Sequence, residues 1–342
     1  MGLITHPFET PPEEGKAIEI ADGVLWMRLP LPMALDHVNV YALDDGDSWT
    51  VIDTGFHSKR SVAIWESLLE RPMGGKPVSR VLLTHHHPDH VGMVGWFMKE
   101  KGAELVTTRT AYLLSRMLVL DEQESWPEEV LDFYWRYGME EETYNLRSQG
   151  RPFNFADTVH AIPSGYQRIQ EGDEISIGGR TWDVLVGHGH APEHAVLISK
   201  DDDLLIAGDQ IIPGISSNIS LHPTEPNADP LGEWLTSCAK FRDLVSDAQF
   251  VLPGHKMPFR GAKERLKQLI THHEGGLKRM LKLMDKPLLP GDFFDTLFMR
   301  EIGPTQYGFA FGEALAHLNH LYAQGKVTRK LDQNGQYRWQ RI

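Results

Sequence analysis

The segment "THHHPDH" at residues 84–90 constrains this chain more than any other stretch. It follows the apolar run "RVLL", which predicts a short buried strand that the proline then ends. In an extended loop, His85 and His87 leave the backbone on the same side, and Asp89 and His90 follow at the start of the next helix. Imidazole nitrogen and carboxylate oxygen suit zinc, with iron, manganese or nickel as alternatives. The segment therefore predicts a metal site.

A plainer interpretation is a polar loop whose histidines only cap a helix, and Asp89 is a good capping residue. Four histidines within six positions, directly after a buried strand, favour the metal site. The following residues 90–102 predict one helix that Gly102 stops.

Other apolar runs also end in ionisable residues. Because ligand sites of open α/β proteins lie at strand ends, these side chains are expected to meet at one edge of a sheet. They are Asp53 after "TVI", His188, His190 and His194 after "WDVLVG", Asp209 after "LLIAG", and His255 after "FVLPG".

The ordered set of Asp53, the run His85-x-His87-x-Asp89-His90, His190, Asp209 and His255 resembles the five motifs of the metallo-β-lactamase superfamily. The resemblance covers residues 17–262. It implies a four-layer αββα sandwich with two divalent metal ions between its sheets, expected to be Zn²⁺, with iron or manganese as alternatives. It also implies three ligands for one ion, three for the other and a bridge between them. The first ion would be held by His85, His87 and His190, the second would be held by Asp89, His90 and His255, and Asp209 would be the bridge.

The same resemblance implies roles for nearby residues. Asp53 would orient the ligand loop by hydrogen bonds, and His86 would face away from the ions. Asp89 is the expected catalytic residue, which takes or passes a proton. His194 is expected beside the site, in a supporting or substrate role, and His188 stays open between solvent-facing and functional.

The chain divides by pattern into two predicted domains. Residues 1–262 alternate strands and helices, with a helical insertion at about 110–160. Residues 263–342 predict three helices and then a hairpin around Asn334-Gly335, the order of a winged-helix-like α+β domain. This part resembles, more loosely, the C-terminal domain of a hydrolase group related to glyoxalase II. Packing on the body, a homodimer contact and nucleic-acid binding are the roles left open for it.

Charge and composition narrow the partners. The net charge is −13, although residues 263–342 carry 13 Lys and Arg against 8 Asp and Glu. So acidic a main body disfavours nucleic acid as a partner. No apolar run is long enough to span a membrane, and "MGLITHPFETPPEEGK" lacks the form of a signal peptide. The single cysteine, Cys238, fits a reducing cytoplasm, where we expect the protein.

The resemblance leaves several reactions open, and we favour hydrolysis of a thioester or a related ester or lactone of a small-molecule acyl substrate, with metal-activated water attacking the carbonyl. The alternatives are a nuclease or phosphodiesterase and a β-lactamase-like amide hydrolase. A non-catalytic metal protein is disfavoured because the ligand set is complete. Cys238 lies in a helical pattern away from the motifs, which disfavours the lactamases that use a cysteine ligand.

Two further expectations concern the substrate pocket. An acyl-accepting wall would be formed by Phe133, Tyr134, Trp135 and Tyr137, and an apolar lip by residues 33–35. For the aromatic residues, packing of the insertion is the alternative.

Overall fold

The computed structural model describes residues 4–342. A seven-stranded sheet follows chain order, antiparallel from its first to its fourth strand and parallel from the fourth to the seventh. Its strands are β1 (Ile18–Ala21), β2 (Val24–Pro30), β3 (His37–Asp44), β4 (Trp49–Ile52), β5 (Val78–Leu82), β6 (Glu104–Thr107) and β7 (Gln167–Arg168).

A second sheet has six strands in the order β13-β12-β11-β10-β9-β8, in which only β11 and β12 are parallel. Its strands are β8 (Glu174–Ile177), β9 (Arg180–Gly187), β10 (His194–Ser199), β11 (Leu204–Gly208), β12 (Phe250–Pro253) and β13 (Phe259–Arg260).

The two sheets share one apolar cluster, to which both contribute fully buried side chains. Trp26 and Leu82 come from the first sheet, and Trp182 and Leu252 from the second. Burial of large apolar side chains on facing surfaces is what holds two sheets together. The inner faces of the sheets therefore pack against each other.

The helices before the predicted insertion, and the first helix within it, pack on the seven-stranded sheet, whereas the helix that holds Phe133 packs with the C-terminal helices. Trp65 and Phe97 belong to the same buried cluster as Val81 and Leu105 of its strands. The helices of this region are α1 (Lys59–Glu70), α2 (Pro88–Val91), α3 (Val94–Glu100), α4 (Arg109–Leu120), α5 (Glu128–Arg136) and α6 (Glu141–Gln149), with a 3-10 turn at Phe155–Asp157.

The remaining helices share a third cluster with the six-stranded sheet. Trp234 and Phe311 are buried together with Val196 and Leu205 of the strands, and Trp339 of the last strand joins them. The elements are α7 (Pro230–Leu244), α8 (Ala262–Leu283), α9 (Phe294–Phe298), α10 (Tyr307–Ala323), β14 (Val327–Leu331) and β15 (Tyr337–Arg341), with 3-10 turns at Pro290–Phe293 and Pro304–Gln306. The C-terminal segment is thus packed on the body through a continuous core.

The mixed α/β fold agrees with the sequence prediction, and so does the closing hairpin around Asn334-Gly335. The prediction of one helix over residues 90–102 is wrong, because α2 ends at Val91 and α3 begins at Val94. Gly92 lies against the backbone of residues 55–57, where an added Cβ would be 2.3 Å from the carbonyl oxygen of Gly55. This close approach turns the chain between the two helices. Within residues 4–342, no helix has the length and hydropathy needed to cross a membrane.

Candidate metal centre

Five loops bring ionisable side chains to one place between the sheets. Each loop directly follows a strand: β4, β5, β9, β11 or β12. These side chains do come together, but they come from the strand ends of two sheets and not from one edge of a single sheet, and the exposed His188 stays outside the group.

Three histidines form one side of the centre. The Nε2 of His85 and the Nδ1 of His87 are 3.1 Å apart. His190 completes the group, and the three ligand nitrogens all lie within 4.8 Å of one another. The buried Nε2 of His190 has no hydrogen-bond partner within residues 4–342. This is a set of nitrogens that a single cation could join.

Asp89, His90 and His255 form the other side. The Oδ2 of Asp89 lies 3.2 Å from the Nε2 of His255 and 3.6 Å from the Nε2 of His90. These ligand atoms also lie within 4.8 Å of one another. Two imidazoles and a carboxylate are again a donor set suited to a divalent transition metal.

Asp209 lies between the two sides. Its Oδ1 is 3.4 Å from the Nε2 of His90, and its Oδ2 is 3.4 Å from the Nε2 of both His190 and His255. The Oδ1 atom is buried and has no hydrogen-bond partner in the described chain. One carboxylate therefore faces both groups of histidines.

For three of the histidines, hydrogen bonds determine which ring nitrogen is free to bind a cation. The Nδ1 of His190 lies 2.7 Å from the carbonyl oxygen of Asn218, and the Nδ1 of His255 lies 2.8 Å from that of His37. The Nδ1 of His90 lies 2.7 Å from the Oδ2 of Asp53. Because these oxygens only accept, each Nδ1 carries a hydrogen, and in the neutral ring each Nε2 turns a lone pair into the centre.

Asp53 connects the two ends of the histidine run. Its Oδ1 accepts from the backbone N–H of Thr84, and its Oδ2 accepts from the hydroxyl of Thr84, both at 2.8 Å. Asp53 is buried and has a positive φ of 55°, a conformation that costs energy outside glycine. Its carboxylate faces Thr84 and His90, as expected for a residue that orients the loop.

The electrostatics of the centre favour added positive charge. Burial alone would lower the pKa of His255, but the Asp209 and Asp89 carboxylates raise it to about 10. Burial likewise opposes ionisation of Asp209, yet His255 and His90 hold its pKa well below the usual range. Buried lone pairs, unpartnered ligand atoms and two carboxylates together fit divalent cations.

Comparison with known proteins agrees with this donor set. Residues 33–255 match the family model of the metallo-beta-lactamase superfamily. The chain belongs to the metallo-β-lactamase superfamily. Residues 277–342 match a second model, described as the metallo-beta-lactamase-like C-terminal domain. The prediction of a metallo-hydrolase of this superfamily is confirmed.

Similar proteins span nearly the whole chain. The probable metallo-hydrolase YqjP of Bacillus subtilis is 26% identical over 330 residues, which cover 92% of this chain and 97% of that protein. The crystal structure of a beta-lactamase domain protein from Burkholderia ambifaria is 36% identical with a TM-score of 0.91, covering 99% of this chain and 98% of that one. A metallo-beta-lactamase family protein from Thermus thermophilus is 27% identical with a TM-score of 0.78, over 95% and 100% of the two chains.

The remaining predicted histidines have separate positions. His194 is buried, stacks on His85 with ring centroids 4.5 Å apart, and accepts the backbone N–H of Asp209 at its Nε2. Burial lowers the pKa of His194 to about 3, so it is a neutral support beside the centre. His86 turns its ring parallel to that of Phe155, and His188 is exposed.

The aromatic residues of α5 pack rather than line the centre. Phe133 and Tyr137 are buried in the cluster that contains the C-terminal helices, and Trp135 donates to the carbonyl oxygen of Asn334. For Phe133, Trp135 and Tyr137, the structure therefore supports packing of the insertion over an acyl-accepting wall. The lip residue Met33 is 46% exposed.

Sequence reasoning missed several residues that support the ligands. The carbonyl groups of His37 and Asn218 leave no signature, because any residue supplies a carbonyl. Asn39 is different, since it is a polar residue inside the apolar strand "VNVYAL". Its buried amide donates to the carbonyl oxygens of Pro253 and Lys256 and so holds the loop that carries His255.

Proposed function

We propose that this protein is a binuclear metal-dependent hydrolase of thioesters or related esters and lactones. The observation that carries the proposal is the position of Asp209, whose carboxylate oxygens lie 3.4 Å from the Nε2 of His190 on one side and from the Nε2 atoms of His90 and His255 on the other. A carboxylate placed between two histidine groups would suit two neighbouring cations. Zinc is the cation proposed for both sites, given the His and Asp donors.

Divalent cations supply Lewis acidity at such a centre, polarising a carbonyl and making water acidic near neutral pH. The chain's own part is to position ligands and to move a proton. Asp89 is the better placed of the centre's two carboxylates for proton transfer, because its side chain is 18% exposed and that of Asp209 only 8%. We therefore assign Asp89 the role of proton acceptor.

An acyl substrate is favoured over the alternatives by what surrounds the centre. Cys238 is buried in α7, and burial raises its pKa to about 12, so it supplies no thiolate to the centre. This argues against the cysteine-ligand type of β-lactamase. The exposed apolar lip at Met33 lies on the loop before β3, whose first residue His37 supports His255. An apolar lip and a net charge of −13 suit an acyl group better than a polyanion.

The finer structural predictions fit this proposal. We interpret the three apolar clusters as the three interfaces of a four-layer αββα sandwich and place the domain boundary at residue 262. The C-terminal segment is proposed as a winged-helix-like domain that packs on the body. Its relation to the glyoxalase II group, a homodimer and a cytoplasmic location stay predictions.

A substrate panel tests the function. The zinc-loaded protein is assayed with acyl-glutathione, acyl-coenzyme A, a lactone, a β-lactam and a bis-phosphodiester, beside Asp89→Asn. An Asp47→Asn variant is the control, since Asp47 is exposed and the change in net charge is the same. We expect hydrolysis of a thioester, ester or lactone that Asp89→Asn loses and Asp47→Asn keeps.

Cleavage of the phosphodiester alone, lost in Asp89→Asn, would establish the nuclease or phosphodiesterase alternative in place of this proposal. Turnover of the β-lactam alone would likewise favour the amide hydrolase.

A further inference from the structure

A second cluster of histidines and a carboxylate lies outside the metal centre, where α8 and α10 meet. His273 comes from α8, while Glu313 and His317 come from α10 and, four residues apart, share one helix face. Their ligand atoms lie within 4.8 Å of one another, as do those of each group in the metal centre. Both histidines are buried, at 0% and 2% exposure, and the sequence pattern did not single out any of the three.

The hydrogen bonds of His317 aim one lone pair into the cluster. Its Nδ1 lies 2.8 Å from the carbonyl oxygen of Glu313, so this nitrogen carries the hydrogen. Its Nε2 then faces the Nδ1 of His273 at 3.3 Å. Two nitrogens bound to one tetrahedral zinc at about 2.0–2.1 Å are separated by about 3.3–3.4 Å. The observed separation is the one that a shared cation needs.

The hydrogens on His273 depend on Ser216. The serine hydroxyl lies 2.9 Å from the Nε2 of His273 and 3.2 Å from the carbonyl oxygen of Ser217. If it donates to Ser217, the Nε2 of His273 donates to the serine, and two bare lone pairs face each other. If it donates to His273, a proton lies between the two histidines instead. A cation can bind between the two histidines in the first arrangement, in which both nitrogens are bare. In the second arrangement the proton between them excludes it.

Glu313 supplies the negative charge that favours the cation. Its carboxylate accepts from the side-chain amide of Asn218 at 3.2 Å, and burial raises its pKa to about 7. Burial also lowers the pKa of His317 to about 4, so a charged imidazolium is not the natural partner of this carboxylate. The guanidinium groups of Arg265 and Arg279 act in the same direction as burial, because their positive charges also lower the pKa of His273 and His317. The Glu313 carboxylate is the one negatively charged ligand that the cluster offers to a dication.

We propose that His273, Glu313 and His317 form a separate site for a divalent cation of the zinc class. The site shares no residue with the metal centre and joins α8 to α10. It also reaches the centre indirectly, because Asn218 binds Glu313 with its side chain and His190 with its carbonyl oxygen. The cation would hold the C-terminal helices against the loop that orients His190.

Metal counting on the full chain tests this site. The protein is stripped with chelator, reloaded with Zn²⁺ and analysed for metal per chain as wild type, His273→Gln and His317→Gln. His272→Gln is the control, because His272 is the exposed neighbour on the same helix. We expect both cluster variants to hold one equivalent less than the control, whatever the total of the wild type. Equal metal in all four proteins would overturn the proposal and leave a hydrogen-bonded histidine pair.

Two further variants separate this result from folding and from the proposed function. His87→Ala/His90→Ala/Asp209→Ala removes ligands from both sides of the centre, and in that background the cluster should still bind Co²⁺ with the visible absorption of a four-coordinate ion. Adding His273→Gln should remove this absorption, and its persistence would contradict the assignment. If circular dichroism shows that His273→Gln or His317→Gln does not fold, Glu313→Gln takes its place in the test. This variant should bind Zn²⁺ at the cluster at least tenfold more weakly than the wild type does. Hydrolysis is measured separately on the wild type, so either proposal can fail alone.

Discussion

Asp53→Asn is the substitution that most directly probes how the ligand loop is oriented. The change keeps the shape of the side chain and replaces one acceptor oxygen by an NH₂ donor. Asp53 accepts three hydrogen bonds, two from Thr84 and one from the Nδ1 of His90. No orientation of an amide can accept all three.

The effect is expected to be unequal between the two sides of the centre. If the amide oxygen accepts from the backbone of Thr84, the NH₂ group faces the Nδ1 of His90, which must then lose its hydrogen. The neutral ring then carries the proton on Nε2, the atom that faces Asp89 and Asp209. If the amide is turned around, its NH₂ group meets the backbone N–H of Thr84 instead. Loss of such a supporting contact costs about 10–100-fold in metal affinity, or ~1.4–2.7 kcal/mol.

Competition with a chromophoric chelator measures this difference. We expect Asp53→Asn to bind the Zn²⁺ on the side of His90 and His255 about 10–100-fold more weakly than the wild type does. The side with His85, His87 and His190 should retain its affinity. Asp47→Asn, which changes the net charge equally at an exposed position, should bind as the wild type does. Wild-type affinity for both ions in Asp53→Asn would refute the role assigned to Asp53.

Two further predictions concern stability and reactivity. Gly92→Ala puts a Cβ 2.3 Å from the carbonyl oxygen of Gly55, and should lower the free energy of unfolding by about 1–3 kcal/mol or more in thermal or urea melts. Gly303→Ala, where no atom lies within 4 Å of the new Cβ, is its control, and equal melting of the two variants would count against the packing described. Because burial raises the pKa of Cys238 to about 12, its thiol stays protonated at pH 8 and should react with a disulfide reagent only in denaturant. Rapid labelling of the native protein at pH 8 would contradict that burial.

The metal centre was predictable because its residues end apolar runs. A strand that stops at an ionisable side chain can be read from the sequence, and Asp53, Asp209 and His255 each stand in that position. The groups that orient the ligands were hidden, because backbone carbonyls, such as that of Asn218 beside His190, have no sequence signature. The break between α2 and α3 was also hidden, since it depends on the approach of Gly92 to a distant loop.

The cluster of His273, Glu313 and His317 was missed for a different reason. Glu313 and His317 have helical spacing, but their partner lies 40 residues earlier on another helix. Histidines inside amphipathic helices are common, and nothing local distinguishes His273 from the exposed His272. Only the packing of α8 on α10 brings the three together.

The central claim is that Asp209 is shared by two cations. Crystals grown from zinc-loaded protein, with diffraction recorded on both sides of the zinc absorption edge, test it most directly. We expect two anomalous peaks about 3.5–4 Å apart, one beside His85, His87 and His190 and the other beside Asp89, His90 and His255. A single peak at the centre under zinc-replete conditions, or two peaks with Asp209 bound to only one of them, would contradict it.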